Sequence, residues 1–125
     1  MNNIDYQKLY EQIAVVLPTL WIKVVFRVEY REGSYTMKYY VEESEGKYID
    51  CYSISGVEEN DIVKAYKNID KLLFPEWKKL SPDKRWSLFT LVIKSDGSFK
   101  ADLSYDDLEK DYEESTACWK KTYLV

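Results

Sequence analysis

The sequence contains no histidine among its 125 residues. Ser-His-Asp and Cys-His triads, histidine general bases and histidine-ligated metal sites are therefore excluded. Its two cysteines, Cys51 and Cys118, are too few for a disulfide framework or a structural zinc site. We interpret them as free thiols in a reducing cytosol. The four glycines stand singly, so no glycine-rich loop supports nucleotide binding.

Other absences narrow the class of protein further. No apolar run approaches the roughly 18 residues that cross a bilayer, so we expect no transmembrane helix. Residues 1–5 lack a basic region and a small-residue cleavage site, which predicts no signal peptide. The net charge of −4 argues against direct binding of nucleic acid, which needs a clustered positive surface. We therefore expect a cytoplasmic protein that contacts neither membrane nor nucleic acid.

The composition is that of a folded chain. Hydrophobic residues make up 46% of the sequence and aromatic residues 16%, enough apolar mass to offset the entropy of ordering the chain. A length of 125 residues fits one domain and hardly two. We therefore predict a single domain over residues 1–125.

Hydrophobic periodicity predicts an α+β fold. Apolar residues at three-to-four spacing predict helices over residues 4–17 and 58–74, each ending near a proline. Strict alternation and turn residues predict five strands. The strands span residues 21–31, 35–42, 47–54, 86–94 and 98–105. The expected order is helix, three-strand meander, helix, hairpin and C-terminal tail, with two main helices packed on an antiparallel sheet of about five strands.

Two of these strands carry further information. The first alternates apolar even positions with charged odd positions, which predicts one buried face and one solvent-facing side. The strand over residues 86–94 is apolar on both faces, so we expect it inside the sheet. Asp96-Gly97, which follows it, is a strong signal for a two-residue hairpin.

Charge is concentrated in one stretch, residues 102–114, which we call the acidic segment. It contains seven acids and one lysine, so its net charge is −6 and the remaining residues carry +2. Tyr105 and Tyr112 lie among the carboxylates. Such a stretch is suited to a basic protein partner, because complementary charge speeds encounter and aromatic anchors supply affinity.

We therefore predict that the chain binds a protein partner through residues of this segment. The candidate contacts are Tyr105, Asp106, Asp107, Glu109, Asp111, Tyr112, Glu113 and Glu114, with Glu42, Glu43 and Glu45 of the second turn as lesser candidates. A solvated face that keeps the protein soluble is the alternative. No calcium-loop pattern and no distinct pair of catalytic carboxylates is present, so no metal, cofactor or catalytic residue is predicted.

Several short strings occur in a characteristic order. They are LYEQIA from Leu9, WSLFTL from Trp86, SDGSFK from Ser95, DLSYDDL from Asp102 and WKKTYL from Trp119. In this order they resemble the YezG-like family of bacterial immunity proteins, over nearly the whole chain. The sequence departs from the family at Cys118, because an arginine often precedes the terminal tryptophan in such proteins.

The resemblance implies binding without catalysis. Members of this family are cytoplasmic antitoxins that bind the toxic C-terminal domain of a cognate secreted toxin, often a nuclease. An acidic inhibitor is able to occupy the basic groove that a nuclease needs for its substrate. An adaptor or chaperone that escorts a partner without inhibiting it, and a small enzyme that uses carboxylates or Cys118, are the alternatives. Exposed tyrosines on an open sheet would also permit self-association.

Overall fold

The computed structural model describes residues 4–125, which form three α-helices and one five-stranded antiparallel sheet. The predicted α+β class is confirmed. The described chain divides into two units. One contains the described residues up to Thr19 together with Cys51–Arg85, and the other contains Leu20–Asp50 and Trp86–Val125. That the whole chain acts as a single domain stays a prediction.

The first unit is helical. Helix α1 (Tyr6–Ala14) begins after Asp5, whose carboxylate accepts the Lys8 backbone N–H at 3.1 Å. This is the usual way to satisfy an unpaired amide at a helix start. Helix α2 (Glu59–Lys79) lies beside α1, where the Asn68 amide donates to the Gln12 side chain at 3.1 Å. A short 3₁₀ helix, Cys51–Ser53, precedes α2.

Helix α2 does not end near Pro75 and extends beyond the predicted range of residues 58–74. It continues to Lys79, because Leu73 and Trp77 are both buried and pack the turns on either side of the proline. Arg85 then provides hydrogen bonds to carbonyl groups at the end of the helix. Its guanidinium donates to the carbonyls of Leu80 and Lys78, both at 3.0 Å, and lies over the Trp77 ring. A second short 3₁₀ helix, Pro82–Lys84, follows.

The second unit is built on the sheet, in which all neighbouring strands are antiparallel in the order β3-β2-β1-β4-β5. The strands are β1 (Lys23–Arg31), β2 (Ser34–Ser44), β3 (Lys47–Asp50), β4 (Leu88–Lys94) and β5 (Phe99–Ser104). Strand β4 lies inside the sheet, as predicted for an apolar strand. Strand β3 is shorter than predicted, since the chain turns into a 3₁₀ helix at Cys51.

The prediction of a solvent-facing side on β1 is wrong. Every residue from Val24 to Tyr30 is buried, including Arg27 at 5% and Glu29 at 2% exposure. The charged odd positions are covered by a third helix, α3 (Tyr112–Tyr123). The stretch predicted as a tail contains this helix. Its apolar contacts come from a few aromatic residues among polar ones, which gave no clear helical stripe.

Helix α3 is joined to the sheet through aromatic side chains that carry a polar atom. The Trp119 indole N–H donates to the Thr90 hydroxyl at 3.0 Å, and the Arg27 guanidinium lies 4.8 Å from the Trp119 ring. One turn later, the Tyr123 hydroxyl donates to Asp102 Oδ2 at 2.7 Å. Amphipathic aromatic rings suit this face, because they bury area and still satisfy the polar groups beneath them.

The Tyr123 contact predicts a stability change at alkaline pH. Burial, and then the hydrogen bond to Asp102 and the charge of that carboxylate, raise the pKa of Tyr123 to about 12. The folded state therefore favours the neutral phenol, and this contribution is complete below about pH 10, the unfolded value, and is lost as pH rises to the folded pKa. We expect Tyr123→Phe to lower stability near neutral pH and to flatten the loss over that range.

Urea unfolding at a series of pH values measures the free energy of unfolding for both proteins. Tyr105→Phe, which makes the same chemical change at an exposed tyrosine, is the matched control. Equal pH slopes for the wild type and Tyr123→Phe would contradict the assignment.

Candidate partner-binding surface

Most of the acidic segment connects β5 to α3 and lies at one end of the sheet. The strand registers fix this position, because Ser104 pairs with Leu88, Leu88 with Glu29, and Arg31 with Ser34. The end of β5, the start of β4 and the turn between β1 and β2 therefore meet at this end. The segment follows β5 directly, so its carboxylates are held near these elements.

Local hydrogen bonds, most of them between a side chain and the backbone, hold the first part of the segment in one conformation. The Ser87 hydroxyl donates to the carbonyl of Asp106 at 2.6 Å, and the Ser87 N–H donates to the carbonyl of Ser104 at 2.9 Å. Asp107 Oδ1 accepts the Glu109 N–H at 3.0 Å, which closes a local turn of the kind that aspartate favours. Leu108 is buried in the cluster that contains Trp119. Leu108 thus anchors the loop while its acidic neighbours stay exposed.

The entry into α3 is also specific. Asp111 adopts a left-handed backbone with φ of 56°, a conformation that aspartate tolerates better than most residues. Its carbonyl accepts the Ser115 N–H at 2.9 Å, the first bond of the helix. Glu113 and Glu114 occupy the first turn, where the positive end of the helix dipole favours negative charge. Carboxylates here therefore stabilise the helix that carries them.

Beneath the segment lies a network of charges on β1. Glu29 accepts hydrogen bonds from Arg27 Nε at 3.1 Å and from Arg31 Nη1 at 3.2 Å. The Tyr112 hydroxyl donates to the same carboxylate at 2.7 Å, which fixes the start of α3 above the strand. Burial, and then the bond to Glu29 and its charge, raise the pKa of Tyr112. Arg31 also lies 3.8 Å from Glu109 Oε1.

Within the described residues 4–125, the outer two nitrogens of Arg27 have no hydrogen-bond partner although they are buried. The Trp119 ring, 4.8 Å from the guanidinium, supplies a cation–π contact at this position. Arg27 therefore depends on Glu29 for its formal counter-charge, and removal of that charge would leave a buried cation unpaired.

The structure brings most of the candidate contacts together. Exposed side chains at this end of the sheet belong to Tyr105, Asp106, Asp107, Glu109, Asp111, Glu113 and Glu114. Tyr105 is 61% exposed and has the largest accessible fraction of the segment's aromatic rings. Tyr112 is 37% exposed, but its hydroxyl is committed to Glu29. Tyr112 therefore holds the segment in position, and part of its ring stays exposed to solvent.

The lesser candidates lie elsewhere. Glu42 pairs with Lys23, at the end of the sheet opposite to Arg31. It is buried and accepts the Gly46 N–H at 2.8 Å, so its carboxylate shapes the turn between β2 and β3. Glu43 and Glu45 are exposed on that turn. Lys23 and Arg31 are eight residue steps apart along β1, a distance of roughly 26 Å.

Sequence reasoning missed Glu29 and Arg31 as parts of this surface. Both occupy odd positions of β1, which alternation alone marked as a solvent-facing side. Glu29 is identified by its hydrogen bond to Tyr112 of α3, and this bond can be recognised only when the position of α3 is known. In the described part of the chain, no group of three or more His, Cys, Asp or Glu residues is arranged to hold a metal ion. None of the helices described is long and apolar enough to cross a membrane.

The chain matches a known protein family. The family model described as "Immunity protein YezG-like" matches residues 1–124. Among curated proteins, no sequence matches the chain.

The charge network beneath the segment predicts that a single substitution at Glu29 strongly lowers the stability of the fold. Glu29→Gln keeps the shape of the side chain and removes the charge that Arg27 requires. We expect a loss of about 3–5 kcal/mol in the free energy of unfolding, as for other buried pairs that lose one partner. Tyr112→Phe removes one hydrogen bond at a partly exposed position and should cost about 1–2 kcal/mol. Chemical denaturation of the three proteins measures both values.

Hydrogen exchange of the backbone over residues 105–114 should be faster in Glu29→Gln than in the wild type, because the start of α3 loses its anchor. Equal stability of Glu29→Gln and the wild type would contradict this role for the carboxylate.

Proposed function

This chain belongs to the YezG-like immunity protein family, and from that membership we propose that it binds and neutralises the C-terminal toxic domain of a cognate secreted bacterial toxin. It acts by binding and not by catalysis. Its place of action is the cytoplasm of the cell that makes it, where a toxin domain would otherwise reach its target.

The observation that carries the proposal is the exposed acidic segment at one end of the sheet. Six carboxylates, those of Asp106, Asp107, Glu109, Asp111, Glu113 and Glu114, are exposed there. The fold fixes the spacing of these carboxylates, so they would present a defined pattern of negative charge to a cleft or groove of a partner. Tyr105 adds an exposed ring beside the charges. Fixed charges with an aromatic residue favour a specific protein contact over simple solvation.

The chemistry of this surface favours a nuclease as the toxin domain. Enzymes that cleave DNA or RNA bind the phosphate backbone with clustered lysine and arginine side chains. The carboxylates of the acidic segment would lie where the phosphates otherwise lie, so that inhibitor and substrate compete for one groove. Inhibition is then competitive with nucleic acid and weakens as salt screens the charges.

The direct test is co-expression with the toxin domain encoded next to the gene for this chain. We expect the wild-type chain to restore growth and, as a purified protein, to inhibit the toxin domain in vitro. Failure to restore growth would contradict the proposal. Binding that leaves the activity of the toxin domain intact would instead favour an adaptor that escorts its partner.

Charge reversal tests the surface itself. We choose Asp106→Lys with Glu109→Lys. Asp107 is kept because its carboxylate holds the Glu109 N–H, and Glu113 is kept because it favours the first turn of α3. We expect the association rate with the toxin domain to fall about tenfold or more at low salt and to lose most of its salt dependence. Stopped-flow or surface-based kinetics at several salt concentrations measure both.

Glu43→Lys with Glu45→Lys is the matched control. It makes the same change in net charge at the opposite end of the sheet, and the two double variants are compared at about 0.15 M salt, where roughly 26 Å is about three screening lengths. Its association rate should stay close to that of the wild type. Equal effects of the two double variants would remove the acidic segment from the interface.

A further inference from the structure

The two edges of the sheet differ in how they resist the addition of another strand. Strand β3 has four residues, and its pairing with β2 has a register shift between Glu42 and Ser44. Short, irregular edges of this kind discourage pairing with another chain. Strand β5 has six residues in unbroken register with β4 and contains no proline. It therefore has the regular geometry that a further strand requires.

The hydrogen-bonding direction of β5 follows from its pairing with β4. The Lys94 N–H donates to the Ser98 carbonyl at 2.9 Å, and in an antiparallel ladder every second residue repeats this direction. The even-numbered residues of β5 therefore point their backbone groups toward β4. The odd-numbered residues Ala101 and Leu103 point theirs away from it, toward the outer edge. These groups are the donors and acceptors available to another strand.

We propose that the outer edge of β5 pairs antiparallel with β5 of a second copy of the chain, about a two-fold axis at Ala101. The proposal is independent of toxin binding. Ala101 then lies opposite Ala101 of the second copy, and Phe99 lies opposite Leu103. On the other face of the sheet, Lys100 lies opposite Asp102. The two five-stranded sheets become one of ten strands.

Charge complementarity selects both the occupant and the register. The two-fold axis produces the Lys100–Asp102 pair twice. Both pairs are at positions that do not exchange backbone hydrogen bonds, where opposing side chains lie closest. A slide of two residues in one direction places Lys100 opposite Lys100, and a slide in the other places Asp102 opposite Asp102. Like charges directly opposite each other destabilise a strand pair, so the central register is favoured.

The side chains are positioned for this contact. The side chain of Lys100 is 75% exposed and that of Asp102 33% exposed, and within one chain Lys100 Nζ lies 3.7 Å from Asp102 Oδ2. In the dimer each ammonium would lie between the Asp102 of its own chain and that of the second copy. Asp102 already accepts the Tyr123 hydroxyl through Oδ2, which holds its carboxylate on the face where Lys100 of the second copy would lie. A carboxylate accepts several hydrogen bonds, so the intramolecular bond and the new ion pair are compatible.

Sedimentation equilibrium of the full chain, from low micromolar to near-millimolar concentration, tests the pairing. We expect a monomer–dimer equilibrium in the wild type. Ala101→Pro removes a backbone donor at the outer edge, where proline is tolerated in a sheet, and should abolish the dimer while circular dichroism stays unchanged. A wild-type chain that is monomeric throughout would overturn the proposal. So would a dimer that Ala101→Pro leaves intact.

Charge variants test the register. Lys100→Glu should raise the dimer dissociation constant about tenfold or more, because repulsion replaces attraction at both symmetric pairs. Lys47→Glu makes the same charge change on the opposite edge strand and should leave the constant unchanged. Equal effects of the two changes would overturn the proposed edge.

A mixture of two variants is the sharpest test. Lys100→Glu and Asp102→Lys should each dimerise poorly alone but pair with each other, because both cross-strand pairs are then attractive. Failure of the mixture to pair, with both variants folded, would overturn the register. If a strand of a toxin domain fills this edge instead, the chain is monomeric alone and Ala101→Pro weakens toxin binding, which also overturns self-pairing.

Discussion

Arg27 and Glu29 lie two residues apart on the middle strand of the sheet, beneath a helix that has little apolar surface of its own. Their ion pair is buried, with an Nε–Oε2 distance of 3.1 Å. Such a pair adds little net stability over apolar packing, but the loss of one partner is costly. Its effect in this fold is positional. Trp119 lies over Arg27, and Tyr112 donates to Glu29, so α3 fits the strand in one place.

The placement of α3 determines what the surface presents. Its first residue is held by Glu29, and the connection from β5, residues 105–111, has its shape fixed by local hydrogen bonds. Leu108 turns inward, and the carboxylates on either side of it stay exposed. Glu113 and Glu114, which are also exposed, lie in the first turn of α3 and favour the helix through its dipole. At these two positions, negative charge therefore favours both the helix and the proposed recognition of a basic partner.

Local patterns predicted the elements whose signals are local. The helices near Leu9 and Ile62, the five strands and the turn at Asp96-Gly97 follow from periodicity and turn chemistry. The acidic segment followed from charge, and the family from the order of short strings. The burial of the charged face of β1 could not be predicted from local patterns. Charged residues at alternate positions normally face solvent, and the buried ion pair is recognised only once the position of α3 is known. The predicted end of α2 near Pro75 was wrong for a related reason, since tertiary packing of Trp77 outweighed the local helix-breaking effect of the proline.

In the proposed complex, the acidic segment is the surface that contacts the toxin domain. Hydrogen–deuterium exchange of the chain, free and bound to that domain, measures this residue by residue. We expect slower exchange in the complex over residues 105–114 and unchanged exchange over the turn at residues 43–46. Protection at that turn or elsewhere, with exchange over residues 105–114 unchanged, would contradict this proposal.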